Sequence, residues 1–185
     1  MRDLGASGLL LGPVFESATH GYDTLDHMHI DVRLGGDAAF DQLVAACRDM
    51  GLQVMLDGVF NHVSRNHPAV QAALDETAGR LNPADNPWHG LVRAHVGDNG
   101  EPALDVFEGH GDLVALDHSA DETVDYVVHV MSHWLDRGAA GWRLDAARRR
   151  GGPALRSPQC LGRRRHRLLR HHPPAARPRG AVTAR

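Results

Sequence analysis

The sequence predicts an α/β protein built on a parallel sheet. Three short apolar segments, typical of strands buried on both faces, alternate with segments whose apolar residues recur at helical spacing. The two later strands end in carboxylates, Asp57 and Asp145. Because α/β sheets carry their chemistry at the carboxyl ends of the strands, the alternation predicts right-handed crossovers and a site at that edge.

The first strand is predicted at Gly8–Pro13, an apolar run that begins and ends near glycines. After a polar stretch over 16–36, expected to be loop, Asp37 can cap a helix that stops at Gly51. The apolar residues of this helix follow i, i+3, i+4, i+7 spacing: Phe40, Leu43, Val44, Cys47 and Met50. The second strand, 52–56, follows at once.

Residues 58–117 are irregular and rich in turn-forming Asn-Pro pairs. A connection of this length predicts a functional loop or a small inserted subdomain. Asp121 and Glu122 then open a second helix that ends at Gly138. One side of that helix is apolar: Val124, Val127, Val128, Met131, Trp134 and Leu135. The third strand is predicted at Gly141–Asp145.

Charge divides the chain sharply. All 23 acidic residues lie at or before Asp145, and 12 of the 20 basic residues, all Arg, lie in 148–185. The first 147 residues therefore carry 8 − 23 = −15 and the remainder +12. Two cysteines are too few for a disulfide framework, and neither a membrane span nor an export leader is visible, so we expect a cytoplasmic protein without membrane contact.

Three motifs, in order along the chain, resemble those of the α-amylase family of glycoside hydrolases. They are Gly21-Tyr22-Asp23, Asp57-Gly-Val-Phe-Asn-His62 and Gly141-Trp-Arg-Leu-Asp-Ala-Ala147. The resemblance covers about residues 4–147. It implies that 1–147 form a partial (β/α)8 TIM barrel, about strands 2 to 4, of a retaining hydrolase that acts on α-glucosidic linkages in an α-glucan or oligosaccharide.

The resemblance also implies roles for individual residues. Asp145 would be the nucleophile, and Arg143, two residues earlier on the same strand face, would keep it ionised. Tyr22 would stack on the bound sugar, and His62 would hydrogen-bond the hydroxyls of that sugar. Asp57 is grouped with the substrate-binding residues, chiefly as a structural partner of Arg143. Without the resemblance, Arg143 and Asp145 would be interpreted as a structural pair at a strand end.

Asn61 matches the calcium-ligand position of the family. An amide oxygen suits this hard cation, but a single ligand defines no site, and we expect no required cofactor. Metal binding ranks below the sugar contacts.

The chain departs from the family pattern in three places. Ala140 stands where the family has Asp, and neither Glu101 nor Glu108 matches the general acid. The motif bearing that acid is not found after Ala147. We therefore expect this 185-residue chain to be inactive alone.

A metal-dependent hydrolase on the same barrel fold is the competing hypothesis. His27 and His29 have the spacing of a metal-binding pair on a strand. They fall in the segment expected to be loop, which favours a solvated or packing role.

Residues 148–185 are rich in Arg and Pro and too poor in apolar residues to bury a core. We expect a disordered tail, and our hypothesis is that it arises from out-of-frame translation. The alternative is a nucleic-acid-binding arm. No aromatic residue interleaves these arginines, so base stacking is not indicated and nucleic acid is not an expected partner.

Overall fold

The computed structural model describes residues 2–147, and the predicted tail at 148–185 lies outside them. Within that range the helices are α1 (Gly36–Asp49), α2 (Pro68–Thr77) and α3 (Asp121–Asp136). The strands are β1 (Gly8–Leu10), β2 (Phe15–Ser17), β3 (Thr24–Ile30), β4 (Gln53–Gly58), β5 (His62–Ser64), β6 (Ala94–Val96), β7 (Pro102–Leu104), β8 (Val106–Phe107), β9 (His110–Ala115) and β10 (Gly141–Leu144).

A three-stranded parallel sheet carries the fold, with β4 between β1 and β10. The α/β class and all three predicted strands are confirmed, although the first ends at Leu10 rather than Pro13. In the register of the sheet, Leu10 lies beside Met55 and Arg143 lies beside Asp57. The carboxyl ends of β4 and β10 therefore meet at one edge.

The hydrophobic core lies between one face of this sheet and the helices α1 and α3. It is formed by buried residues from all three elements: Phe40, Val44, Cys47, Val54, Leu56, Val130 and Trp134. The Trp134 ring is fully buried, packs edge-on against Phe40 at 5.0 Å, and donates Nε1–H to the His27 carbonyl at 2.8 Å. Trp134 thus joins the helix layer to β3.

In α1 and α3, fewer of the regularly spaced apolar residues are buried than the sequence predicted. Met50, Val124 and Leu135 are more than 40% exposed. Asp37 is not the N-cap of α1, because Gly35, in the left-handed region at φ 101°, begins the helix two residues earlier. The Asp37 carboxylate instead accepts hydrogen bonds from the Ile30 amide and the Arg137 guanidinium.

The opposite face of the sheet is open to solvent at Leu10 and Met55, before its carboxyl end. Leu10 is 57% exposed and Met55 39% exposed on this face. Arg143 and Asp57 lie on the same face at its carboxyl end, because side chains alternate along each strand.

The prediction that the segment before α1 forms a loop is wrong, because this segment contains the antiparallel pair β2 and β3. The pairing of β2 with β3 shifts register twice, which removes the regular polar and apolar alternation that identifies a strand. The polar residues here are paired with one another. Asp31 accepts hydrogen bonds from Ser17 and Arg33.

Residues 58–117, predicted as a loop or inserted subdomain, have regular secondary structure of their own, and the name inserted subdomain is kept for this segment. It contains α2, the hairpin β6–β7 and a sheet in the order β5-β9-β8. A second hydrophobic cluster holds it together: Val63, Ala69, Val70, Ala73, Leu91, Val92, Val114 and Leu116.

Candidate active site

Arg143 joins two carboxylates at the carboxyl edge of the parallel sheet. Its Nη1 donates to Asp57 Oδ2 at 2.5 Å, and its Nη2 donates to Asp145 Oδ1 at 2.9 Å. The register that places Arg143 opposite Asp57 makes both contacts possible from one guanidinium. The structure therefore brings together three residues that the sequence singled out.

Asp57 is the buried member of this group. Its residue is 1% exposed, and its Oδ1 has no hydrogen-bond partner among the described residues. Burial raises the pKa of Asp57, and the positive charge of Arg143 opposes that rise. Asp57 in turn raises the pKa of Arg143. Asp57 thus serves as the fixed partner that holds the guanidinium in place.

Asp145 follows directly after β10 and is more accessible, with 19% of its side chain exposed. Its amide donates to the Gly58 carbonyl at 3.0 Å, so the hydrogen bonding between β4 and β10 continues to this residue. Ala146 then turns into the left-handed region at φ 48°, where a residue with a Cβ is uncommon. The backbone therefore fixes the Asp145 carboxylate at the strand end, where solvent reaches part of it.

Tyr22 lies in a tight loop that carries its side chain to the same edge. Gly21 has φ 93°, and a Cβ at this position would lie 2.8 Å from Pro13 Cβ. Asp23 closes the loop by accepting hydrogen bonds from the Thr19 hydroxyl and the His20 amide. The Tyr22 side chain is 37% exposed and is one of the hydrogen-bonding groups that raise the pKa of Arg143, after the larger effect of the Asp57 charge.

His62 contacts the Tyr22 backbone. Its Nε2 lies 3.0 Å from the Tyr22 carbonyl oxygen, and its ring stacks on Phe107 at 4.5 Å. Burial lowers the pKa of His62, so the ring is neutral near pH 7. Because a carbonyl oxygen only accepts hydrogen bonds, the ring proton lies on Nε2 and is donated to the Tyr22 carbonyl. His62, Tyr22, Arg143 and Asp145 thus form one connected group.

Two histidines support the loop after β4, a role that the sequence predicted for neither of them. Consecutive carbonyls of this loop, at Val59 and Phe60, accept from His27 Nε2 at 3.0 Å and His118 Nε2 at 2.8 Å. The next carbonyl, of Asn61, accepts the Leu116 amide at 3.1 Å. These bonds fix the backbone that leads from Asp57 to His62.

The metal-binding pair suggested for His27 and His29 does not form. His27 is fully buried with both ring nitrogens used, since Nδ1 lies 3.0 Å from the Tyr126 hydroxyl. His29 is exposed and bonds to Asp26. One ring is thus buried and the other exposed, and residues 2–147 hold no group of three His, Cys, Asp or Glu side chains suited to a metal.

Calcium at Asn61 stays a prediction. Calcium takes six to eight oxygen ligands, and the nearby carboxylate of Asp117 is already engaged by Arg93 and Ser119.

Two carboxylates joined by an arginine at the carboxyl ends of adjacent parallel strands are typical of glycoside hydrolases on a (β/α)8 barrel. The family model of the alpha amylase catalytic domain matches residues 1–159. The chain belongs to the alpha-amylase family. The match continues past Ala147, where the motif resemblance ended.

Curated relatives include a cyclomaltodextrinase from Geobacillus thermopakistaniensis, 30% identical over 149 residues, and an intracellular maltogenic amylase from Bacillus subtilis, 31% identical over 149 residues. Each match covers 80% of this chain and 25% or 24% of the relative, respectively. The chain thus spans about a quarter of the length of these relatives.

Among solved structures, the cyclic α-maltosyl-(1→6)-maltose hydrolase of Arthrobacter globiformis matches with a TM-score of 0.67 and 32% identity. The match covers 78% of this chain and 32% of that one. The parallel strands and their helices are therefore part of a (β/α)8 barrel, as the motifs implied. None of the helices between residues 2 and 147 is long and apolar enough to cross a membrane.

Proposed function

We propose that this chain supplies the nucleophile side of a retaining hydrolase for α-glucosidic linkages, with Asp145 as the nucleophile. The observation that carries the proposal is the bridge from Arg143 to both Asp57 and Asp145. One guanidinium, anchored by a buried carboxylate, orients a second carboxylate that solvent can reach. Such an arrangement suits attack on an anomeric carbon.

In the proposed reaction, an Asp145 oxygen forms a bond to the anomeric carbon while the glycosidic C–O bond breaks. The leaving oxygen takes a proton from a second carboxyl group, and water then hydrolyses the glycosyl ester. Asp57 does not serve as this acid, because it is buried and paired with Arg143. By resemblance, the acid is a Glu that neither Glu101 nor Glu108 matches.

The substrate class proposed is an α-glucan or oligosaccharide. This follows from the names of the relatives, which act on maltodextrins or on a cyclic maltosyl-maltose. The Tyr22 ring, exposed beside Arg143, offers the aromatic surface that the C–H face of a sugar would cover. A cytoplasmic location is proposed from the cysteine content and from the intracellular relative of Bacillus subtilis.

An α-glucosyl fluoride tests the proposal, because fluoride leaves without being protonated. The full chain should release about one fluoride per molecule and then stop, since the carboxyl group that would activate water for the second step is the same missing acid. From starch, which needs that acid in the first step, the chain should release no reducing sugar.

Asp145→Asn should abolish the fluoride burst, and Asp136→Asn, at the end of α3, should retain it. A wild-type chain without a burst, or an Asp145→Asn variant that keeps it, would contradict the proposal. Starch hydrolysis by the wild-type chain would contradict the part that concerns the acid.

A further inference from the structure

Phe107 reaches the site from the inserted subdomain. It ends β8, pairs with His110 across the hairpin, and stacks on His62 at 4.5 Å with the rings inclined by 27°. Its sequence neighbourhood contains none of the three family motifs. β8 thus places an aromatic ring against His62 of β5, within the same sheet of the inserted subdomain.

The His62 imidazole is fixed by few directional contacts. Nε2–H donates to the Tyr22 carbonyl, whereas Nδ1 is buried and has no hydrogen-bond partner in the described part of the chain. A single hydrogen bond does not by itself fix the plane of the ring. A flat stacking partner opposes tilting of the ring out of the plane in which Nε2 meets the Tyr22 carbonyl, because a tilted ring would lose its face-to-face contact with Phe107.

The orientation of the His62 ring affects the substrate side of the site through the Tyr22 carbonyl, which accepts its hydrogen bond. The loop around Tyr22 is held from its other end by Asp23, and the Tyr22 side chain extends to Arg143. Loss of the bond from His62 would leave Tyr22 tied on one side only.

We propose that Phe107 is a positioning residue that, by stacking on His62, maintains the Nε2–H hydrogen bond to Tyr22 and so sets the sugar platform beside Arg143 and Asp145. The part concerning the sugar rests on the proposed function, whereas the part concerning His62 does not. The inserted subdomain thereby controls the geometry of a site to which it contributes no reacting group.

The test uses the full chain labelled with 15N-histidine and long-range 1H–15N correlation spectra. The His62 signals are identified by their loss in His62→Gln. Wild type should show His62 as the neutral Nε2–H tautomer. Phe107→Ala should give a mixture of the two neutral tautomers, because the ring is no longer held with Nε2 against the Tyr22 carbonyl.

Phe107→Tyr keeps the stack and should restore the wild-type tautomer, which distinguishes orientation from a general loss of packing. Phe107→Leu, which fills the space without a flat face, should behave like Phe107→Ala and serves if the alanine variant unfolds. An unchanged Nε2–H tautomer in a folded Phe107→Ala or Phe107→Leu variant would overturn the proposal.

Maltose binding by calorimetry provides the second measurement. The affinity for maltose should fall about tenfold in Phe107→Ala and Phe107→Leu and return in Phe107→Tyr. If wild type binds no maltose, the proposed function fails while the tautomer spectra still decide the role of Phe107. If the tautomer changes but maltose affinity does not, the link to the sugar platform is overturned.

Discussion

Asp57 and Arg143 are direct neighbours on adjacent parallel strands although 86 residues separate them in the chain. The guanidinium that pairs with Asp57 also bonds to Asp145, so the register between β4 and β10 determines the geometry of the site. A shift of β10 against β4 by one residue would turn Arg143, together with Asp145 on the same strand face, away from Asp57.

Leu56 and Met55 lie on opposite faces of β4, so their truncation should lower stability by very different amounts. Leu56 is fully buried and Met55 is 39% exposed on the opposite face. Leu56→Ala should lower the free energy of unfolding by about 2–5 kcal/mol, whereas Met55→Ala should change it by less than about 1 kcal/mol. Urea unfolding followed by tryptophan fluorescence measures both. Equal effects would mean that the face assigned as open is covered.

Trp134 should be a main support of the core, since its ring packs on Phe40 and its indole N–H satisfies the His27 carbonyl. Trp134→Ala should lower the free energy of unfolding by about 3–5 kcal/mol. Trp134→Phe should cost about 1–3 kcal/mol, because the carbonyl loses its donor. Leu135→Ala, one residue away and 43% exposed, is the matched control and should stay near wild type in denaturant midpoint.

Two buried histidines predict that stability falls in mild acid. Burial lowers the pKa of His27 from 6.5 to about 4 and that of His67 from 6.5 to about 3. The folded state therefore disfavours their protonation, so their contribution is complete above pH 6.5 and is lost as the pH falls from 6.5 toward these values. Protonation of each histidine should lower the free energy of unfolding by about 2 kcal/mol between pH 7 and pH 5.

His67 adds a structural reason, because its Nδ1 caps α2 by accepting the Ala69 amide and cannot do so once protonated. When the free energy of unfolding is measured at pH 7 and pH 5, the loss of stability in His27→Gln should be about half of that in the wild type. His95→Gln, at an exposed position, should follow wild type. A wild-type stability that does not change between pH 7 and pH 5 would disprove this explanation.

Metal removal should have no effect on stability. The Asp117 carboxylate near Asn61 is engaged by Arg93 and Ser119, so a calcium ion would have to displace existing bonds. The thermal midpoint should be the same with EDTA and with added calcium. An increase with calcium that Asn61→Ala abolishes would instead establish the calcium site.

How far the sequence could predict the site depends on the kind of contact. Asp57 and Asp145 were predictable because strand periodicity and the family motifs both placed them at strand ends. His27, His118 and Phe107 were not, because they act on backbone carbonyls or a ring far away in sequence. His27 and Val59 are 32 residues apart, and His118 and Phe60 are 58 apart.

β3 was missed for a related reason. Its residues do not alternate between polar and apolar because the pairing with β2 shifts register, and the buried His27 side chain finds partners in Tyr126 and Val59 that only the tertiary structure provides. Local patterns therefore predicted the elements of the parallel sheet but not the segment that supports Tyr22.

Peptide mapping by mass spectrometry after reaction with α-glucosyl fluoride tests the central claim most directly. The proposed mechanism predicts one glucosyl group per chain, attached through an ester at Asp145. A glucosyl group on Asp57 or any other carboxylate, or an unmodified Asp145 in the wild-type chain, would contradict it.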